Sequence, residues 1–303
     1  MYDIIIVGAG PAGLTAAIYA KRASKKVLVI EEKNYGGQII NTLNIENYPA
    51  EPHISGFDFA TKIYNQAKEL GAEIIFDKVE KIKDNKKNKE IITTKNTYKT
   101  KTIILATGTT NRKLNLDGED QLLGKGISYC ATCDGAFYKN KIVAVVGGGN
   151  TAIEDAIYLS DIVDKVYLIH RRDEFRASES NVNILKEKNN IEYIYNSNIT
   201  KIKGNDKLES IEVTNSEGKT TKITLDGLFV AIGRTPETKI FSELVNTNDE
   251  GYILAKENCQ TNISGIFVAG DNREKELRQL VTATSDGAIA ATAAVKYINN
   301  SRN

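Results

Sequence analysis

Apolar positions along this chain follow two patterns, and the first occurs twice in the same register. Ile4-Ile5-Ile6-Val7 is closed by Gly8, and Val143-Ala144-Val145-Val146 by Gly147. Short apolar runs of this kind, rich in β-branched residues, predict strands buried on both faces, as in a parallel sheet. Each run leads through a Gly-x-Gly-x-x-Gly/Ala turn into an apolar helical stretch ending in Ala-Ile-Tyr, at residues 17–19 and 156–158. A further strand follows in both places, Val27-Leu28-Val29-Ile30-Glu31 and Val166-Tyr167-Leu168-Ile169-His170. Sliding residues 4–20 onto residues 143–159 superposes all three parts and sets Glu31 on His170. The repeat is a β-α-β unit used twice.

The second pattern is β-rich and follows each unit. After the first come Glu73-Ile74-Ile75-Phe76, Glu90-Ile91-Ile92-Thr93-Thr94 and Thr102-Ile103-Ile104-Leu105; after the second come strands at 191–194, 208–213 and 227–233. The lysine-dense stretch Lys81 to Lys89 predicts a solvated hairpin tip. Near the end, a strand over Gly265–Asp271 precedes an alanine-rich helix from about Val281. This remainder is too short for a third doubly wound domain, so it is expected to complete the first. The predicted fold is therefore α/β, with two Rossmann-like dinucleotide-binding domains, one inserted into the other. Residues 1–112 and 239–303 form the outer domain and 113–238 the inner, with crossings near Thr109 to Lys113 and Arg234 to Thr238.

Composition narrows the function. Lys plus Arg number 40 against 39 for Asp plus Glu, a net charge of +1 that gives no broad attraction for nucleic acid or anionic lipid. No apolar run approaches the roughly 20 residues needed to span a bilayer, and residues 1–7 read as a strand, not a leader. A cytoplasmic protein is expected. Three cysteines make no disulfide framework, and Cys259 has no His or Cys at ligand spacing, so it is expected to be a packed or surface thiol.

In such turns the first glycine permits the tight bend, the second admits a pyrophosphate and the third lets helix pack on strand. Here they are Gly8, Gly10 and Gly13, then Gly147, Gly149 and Ala152. The end of the following strand faces the adenosine ribose. Glu31 there accepts bonds from a free 2′-hydroxyl and repels a 2′-phosphate, which suits FAD or NAD(H). In the second copy His170-Arg171-Arg172, with Arg176 beyond, offers guanidiniums that read a 2′-phosphate, which points to NADPH. His170 is expected to position or stack. His53, in a Pro-containing loop, has little to suggest a role.

Cys130-Ala131-Thr132-Cys133-Asp134 precedes the second glycine unit. Cysteines so spaced can close a redox-active disulfide, and the adjacent acid can hold a proton during thiolate formation. Half of a zinc site completed by a second protomer, or two buried thiols, are the other readings.

With two nucleotide units and this dithiol, the chain resembles, over nearly all its length, the low-molecular-weight (bacterial-type) thioredoxin reductases of the class II pyridine nucleotide-disulfide oxidoreductases. Similar motifs are Gly10-Pro11-Ala12-Gly13, Gly36-Gly37-Gln38, Glu46-Asn47-Tyr48-Pro49, Ala106-Thr107-Gly108, Gly270-Asp271 and Arg278-Gln279-Leu280. On the other nucleotide they are Gly149-Asn150-Thr151-Ala152 and the arginine cluster. Leu280 stands where the family more often has a smaller residue. The resemblance also implies contacts from Val79 to FAD and from Ile232-Gly233 to NADPH. It implies electron flow from NADPH to FAD, then to the Cys130–Cys133 disulfide and on to thioredoxin. Cys133 is then the flavin-facing sulfur, Cys130 the attacking one and Asp134 the acid. A homodimer and a rotation between the domains are implied as well. Another thioredoxin-like or peroxiredoxin acceptor, or a non-catalytic redox sensor, are the rival readings.

Overall fold

In a computed structural model the protein is described at residues 1–42, 44–85 and 87–301. The chain divides into two compact units, Met1–Thr110 with Thr235–Asn303, and Asn111–Arg234.

The first unit begins β1 (Tyr2–Val7), α1 (Pro11–Arg22), β2 (Val27–Glu31), α2 (Gly56–Glu69) and β3 (Glu73–Phe76). It continues through β4 (Val79–Asp84), β5 (Lys89–Thr93), β6 (Thr97–Leu105) and β7 (Thr109–Asn111). Strands β3, β2, β1 and β6 pair in parallel, in that order, while β4, β5 and the start of β6 form an antiparallel meander. The apolar run of β1 is buried on both faces because successive side chains enter different cores. Ile4 and Ile6 pack with α1, and Ile5 and Val7 pack on the opposite side with Leu28, Ile30 and Ile103. Burying each of these isoleucines stabilises the fold by roughly 1.5–3 kcal/mol.

The solvated tip predicted over Lys81 to Lys89 is shorter than the lysine run. Lys81 and Lys83 lie on β4, and Lys89 opens β5 with its side chain 2% exposed. The ladder sets Lys89 opposite Asp84, and its Nζ donates to Asp84 Oδ1 at 2.8 Å. Pairing is what allows that cation to be buried. Lys86 lies outside the described residues.

The second unit contains β8 (Ile127–Ser128), α3 (Ala131–Asp134), β9 (Ile142–Val146), α4 (Asn150–Ser160), β10 (Lys165–Ile169), α5 (Glu179–Lys186) and β11 (Ile191–Ile194). There follow β12 (Ser197–Gly204), β13 (Leu208–Asn215), β14 (Thr220–Thr224), β15 (Gly227–Val230) and β16 (Arg234–Pro236), at which the chain returns to the first unit. Its parallel sheet has the order β11-β10-β9-β15-β8, with β12-β13-β14 as a separate antiparallel ribbon. The plan of the first unit is thus repeated.

The last elements are β17 (Ile266–Val268) and α6 (Leu280–Asn300). They complete the first unit: β17 pairs in parallel with the end of β6, and α6 lies against α1. That approach needs Gly287, where a Cβ would come within 2.2 Å of the Ala12 carbonyl oxygen. The expected α/β architecture, one doubly wound unit inserted into another, is the one the chain adopts. Among the described residues no helix is long and apolar enough to cross a membrane.

Candidate functional site

Each glycine turn joins a strand to a helix whose first turn lacks a side-chain cap. At Gly8 the backbone is left-handed, with φ 108°, and a Cβ would lie 2.2 Å from the Ala106 carbonyl oxygen. Gly13 is equally confined, its Cβ direction meeting the Gly8 carbonyl oxygen at 2.0 Å. The middle glycines are open instead: Gly10 has only the Gly37 Cα, at 4.0 Å, and Gly149 has nothing within 4 Å. In the second unit Gly147 is closed in by Ala231, and Ala152 occupies the third place. Ser55 caps α2, Ser178 caps α5 and a capping box closes α6, yet α1 and α4 have no side-chain cap. First-turn N–H groups without such an acceptor, beside an open glycine, fit a pyrophosphate.

Around the first turn the structure brings together Glu31, Gly36, Gly37, Ala106 and Gly270, while the other residues predicted to meet FAD lie farther along the chain. Glu31 accepts the Ala9 N–H at 2.7 Å and the Lys33 N–H at 2.9 Å, which fixes its carboxylate beside the turn. The Gly36 N–H donates to the Ala9 carbonyl at 2.8 Å, and Gly37 lies against Gly10, with Gln38 next along the chain. Ala106, Thr107 and Gly108 follow β6, with the Thr107 hydroxyl donating to the Glu237 carbonyl at 2.6 Å. Gly270 donates to Asp286 at 3.1 Å and lies against Ala12. Asn47 donates to Gln279 at 3.2 Å; Arg278 stacks on Tyr252 at 4.0 Å and donates to the Asp271 carbonyl at 3.4 Å. Leu280 packs beside Ile45, Ile54 and Phe59. Val79 opens β4 with its side chain in the core, so only its main chain is available to a ligand.

The second turn carries the register match into three dimensions. Where Glu31 reaches Ala9, His170 lies over Gly148: a Cβ on Gly148 would fall 2.1 Å from the imidazole Cε1. His170 is buried, lies 5.6 Å from the Phe175 ring, and its Nε2 is 3.0 Å from the Glu174 carbonyl. Burial above all, and then the charges of Arg171, Arg172 and Arg176, lowers its basicity. The Arg176 N–H donates to the Gly148 carbonyl at 2.7 Å, tying the arginine loop to the turn. Asn150 accepts the Ser178 N–H at 2.7 Å, while Thr151 is exposed. Ile232 and Gly233 follow β15, and the Gly233 carbonyl accepts the Arg112 N–H at 3.0 Å.

Cys130 and Cys133 are joined by a disulfide, with their Cα atoms 5.3 Å apart. Cys133 sits on the single turn α3, whose Asp134 N–H donates to the Cys130 carbonyl at 3.1 Å. Burial raises the Asp134 carboxyl above the usual range, opposed by a hydrogen bond from Ser128. Just before the pair, the Tyr129 hydroxyl donates to buried Glu119 at 2.6 Å, and Glu119 also accepts the N–H groups of Leu114 and Asn115. The loop leading to the disulfide is therefore anchored. No group of three or more His, Cys, Asp or Glu able to hold a metal occurs among the described residues. Cys259 is buried at 0% exposure, and burial pushes its thiol up to about 12.

The model of the family described as pyridine nucleotide-disulphide oxidoreductase matches residues 2–287. The chain belongs to this family. It is 44% identical over 300 residues to a thioredoxin reductase of Listeria monocytogenes serovar 1/2a, covering 98% of this chain and 94% of the relative. To the thioredoxin reductase of Bacillus subtilis (strain 168) it is 40% identical, covering 98% and 95%. The crystal structure of thioredoxin reductase from Streptococcus pyogenes MGAS5005 superposes with a TM-score of 0.94 at 40% identity, covering 99% of both chains.

Sequence pattern alone missed several residues around the sites of this pyridine nucleotide-disulphide oxidoreductase. Asn272, wholly buried, donates to the Leu105 carbonyl and to Thr107, and its Oδ1 is left without a partner. A buried acceptor of that kind suits a hydroxyl-bearing ligand. Asp286 gathers Arg273, Lys275 and Gly270. Ser128 touches both ends of the dithiol turn. Each lies outside the quoted motifs, and only tertiary packing reveals them.

Proposed function

We propose that this oxidoreductase is a thioredoxin reductase that uses FAD and NADPH and hands electrons through Cys130–Cys133 to thioredoxin. The observation that carries this reading is the closed disulfide beside a half-buried acid, in the same unit as an arginine loop tied to a glycine turn. When bound, FAD supplies the two-electron relay between NADPH and the disulfide. Gly8, Gly10, Gly13, Gly36, Gly37, Glu31, Ala106, Thr107, Gly108, Gly270 and Asp271 would hold it. Arg278, Gln279 and Leu280 close that site, with Asn47, Gln38 and the Val79 main chain beside them. Gly147, Gly149, Asn150, Thr151 and Ala152 would hold NADPH, with Arg171, Arg172 and Arg176 for its 2′-phosphate and His170, Ile232 and Gly233 beside them. Cys133 faces the flavin, Cys130 attacks thioredoxin, and Asp134 holds the proton as the sulfurs separate. The first unit is thus the FAD domain and the second the NADPH domain. Because the dithiol and the NADPH turn share one unit, rotation about the crossings lets each reach the flavin in turn. The enzyme works in the cytoplasm as a homodimer.

The deciding experiment is a spectral titration. The purified protein is expected to be yellow, to bleach with NADPH, and to recover its flavin band on adding oxidised thioredoxin. A colourless protein, or a bleached one that thioredoxin leaves unchanged, overturns the reading.

Cofactor choice has its own test. Arg171→Ala is expected to lower kcat/KM for NADPH by about 10- to 100-fold, the loss of roughly 1.5–3 kcal/mol from one charged hydrogen bond, while NADH use barely changes. Equal losses with both nucleotides would show that the arginine does not read the 2′-phosphate.

A further inference from the structure

One hydroxyl ties together the two ends of the dithiol turn. Ser128 ends β8, paired to Phe229 of β15, and is 3% exposed. Its Oγ accepts the Cys130 N–H at 3.0 Å and lies 2.6 Å from Asp134 Oδ2. The Cys130 carbonyl is a second acceptor, at 3.3 Å. A hydroxyl has a single proton to give, and the shorter contact, to a carboxylate, is the stronger. A continuous path therefore runs from the Cys130 N–H through the Ser128 hydroxyl to the Asp134 carboxylate, and the Asp134 N–H closes the ring on the Cys130 carbonyl.

We propose that Ser128 is a positioning residue for the dithiol, holding Asp134 in the place and charge state from which its carboxyl exchanges a proton with the separating sulfurs. This rests on the reading of the chain as an NADPH-dependent thioredoxin reductase. Opening Cys130–Cys133 breaks the S–S bond and places two electrons on the sulfurs. NADPH supplies that pair, and with it one proton equivalent as hydride. The second proton comes from solvent. One of the two passes to sulfur by way of Asp134, whose carboxyl is then replenished.

The surroundings leave this hydroxyl as the chief polar influence on the acid. Burial raises the Asp134 carboxyl, and the Ser128 bond is what opposes it. The next turn brings Tyr138, a neutral phenol pushed up to about 12 by burial first and by Asp134 and Asp226 after it. From the α4 side, Tyr158, Leu159 and Ile162 approach Gly135 and bring no charge, while the carboxyl that α4 does carry, Asp155, is raised to about 7 by burial and set against Arg234. Glu119, the nearby buried carboxylate, is taken up by Tyr129 and two backbone N–H groups.

The test compares Ser128→Val with Ser128→Thr, which have nearly the same shape but differ in the hydroxyl. Each protein, loaded with FAD and reduced, is mixed with oxidised thioredoxin, and the single-turnover rate is followed as a function of pH. With Thr the inflection is expected to stay at the wild-type position. With Val it should rise by about one pH unit or more, as for loss of one hydrogen bond to a carboxylate. FAD content and melting temperature show that each variant is folded, and Ser128→Ala replaces Val if the added bulk prevents folding. An inflection shared by Val, Thr and wild type would assign Ser128 to loop shape alone and overturn the proposal. Failure of the wild type to reduce thioredoxin would instead overturn the functional reading on which it rests.

Discussion

Cys133→Ser is expected to abolish thioredoxin reduction, by roughly three orders of magnitude or more, while NADPH still bleaches the flavin. Serine nearly matches cysteine in shape, so α3 and the Asp134 bond to the Cys130 carbonyl should survive. What is lost is the chemistry. An oxygen cannot form the two-electron bond that Cys130 and Cys133 share, so the pair arriving from NADPH has no second carrier. Stopped-flow absorbance reports the flavin, and steady-state assay with oxidised thioredoxin reports turnover. Wild-type turnover in the variant would mean that electrons reach thioredoxin by a route avoiding this disulfide.

Gly13→Ala is expected to weaken FAD binding. The added methyl would point at the Gly8 carbonyl oxygen from 2.0 Å, and that carbonyl belongs to the turn itself. Either α1 retreats from the end of β1 or the turn deforms, and both separate the uncapped first-turn N–H groups from the ligand. Overpacking of this kind costs about 1–3 kcal/mol, so FAD affinity should fall by roughly 10- to 100-fold and the melting temperature with it. The second unit supplies a control. Ala152 already fills the matching position beside Gly147, so Ala152→Gly should cost only about 0.5–1 kcal/mol of helix stability. Flavin content after purification decides the matter; a fully loaded Gly13→Ala protein would show that α1 can shift without loosening the site.

Much of this was legible because it is written in local pattern. The unbroken run Ile4–Val7 must be buried on both sides, and it is. The register that sets Glu31 on His170 holds in space, since Glu31 reaches Ala9 where His170 covers Gly148. Lys89 was misread because charge density suggests solvent, while its burial depends on a cross-strand partner that no single run displays. Asp286 and Asn272 went unseen for a related reason. Their partners, Gly270 for one and Leu105 and Thr107 for the other, are specified by the close packing of α6 and β17 on the first unit. Ser128 precedes the quoted dithiol motif by two residues, and its role depends on the turn bringing Asp134 back to it.

Insertion of one unit within another also dictates an order of assembly during synthesis. The stretch Asn111–Arg234 is continuous, so everything its sheet requires has left the ribosome while the outer unit still lacks its final segment. Until β17 and α6 emerge, β6 is paired with β1 along Ile103–Leu105 but has its other edge unpaired, and α1 lacks the helix that covers Ala12. The nascent chain therefore carries a finished inner unit and an outer one with exposed apolar surface, the kind of species that chaperones capture and that aggregates when left alone.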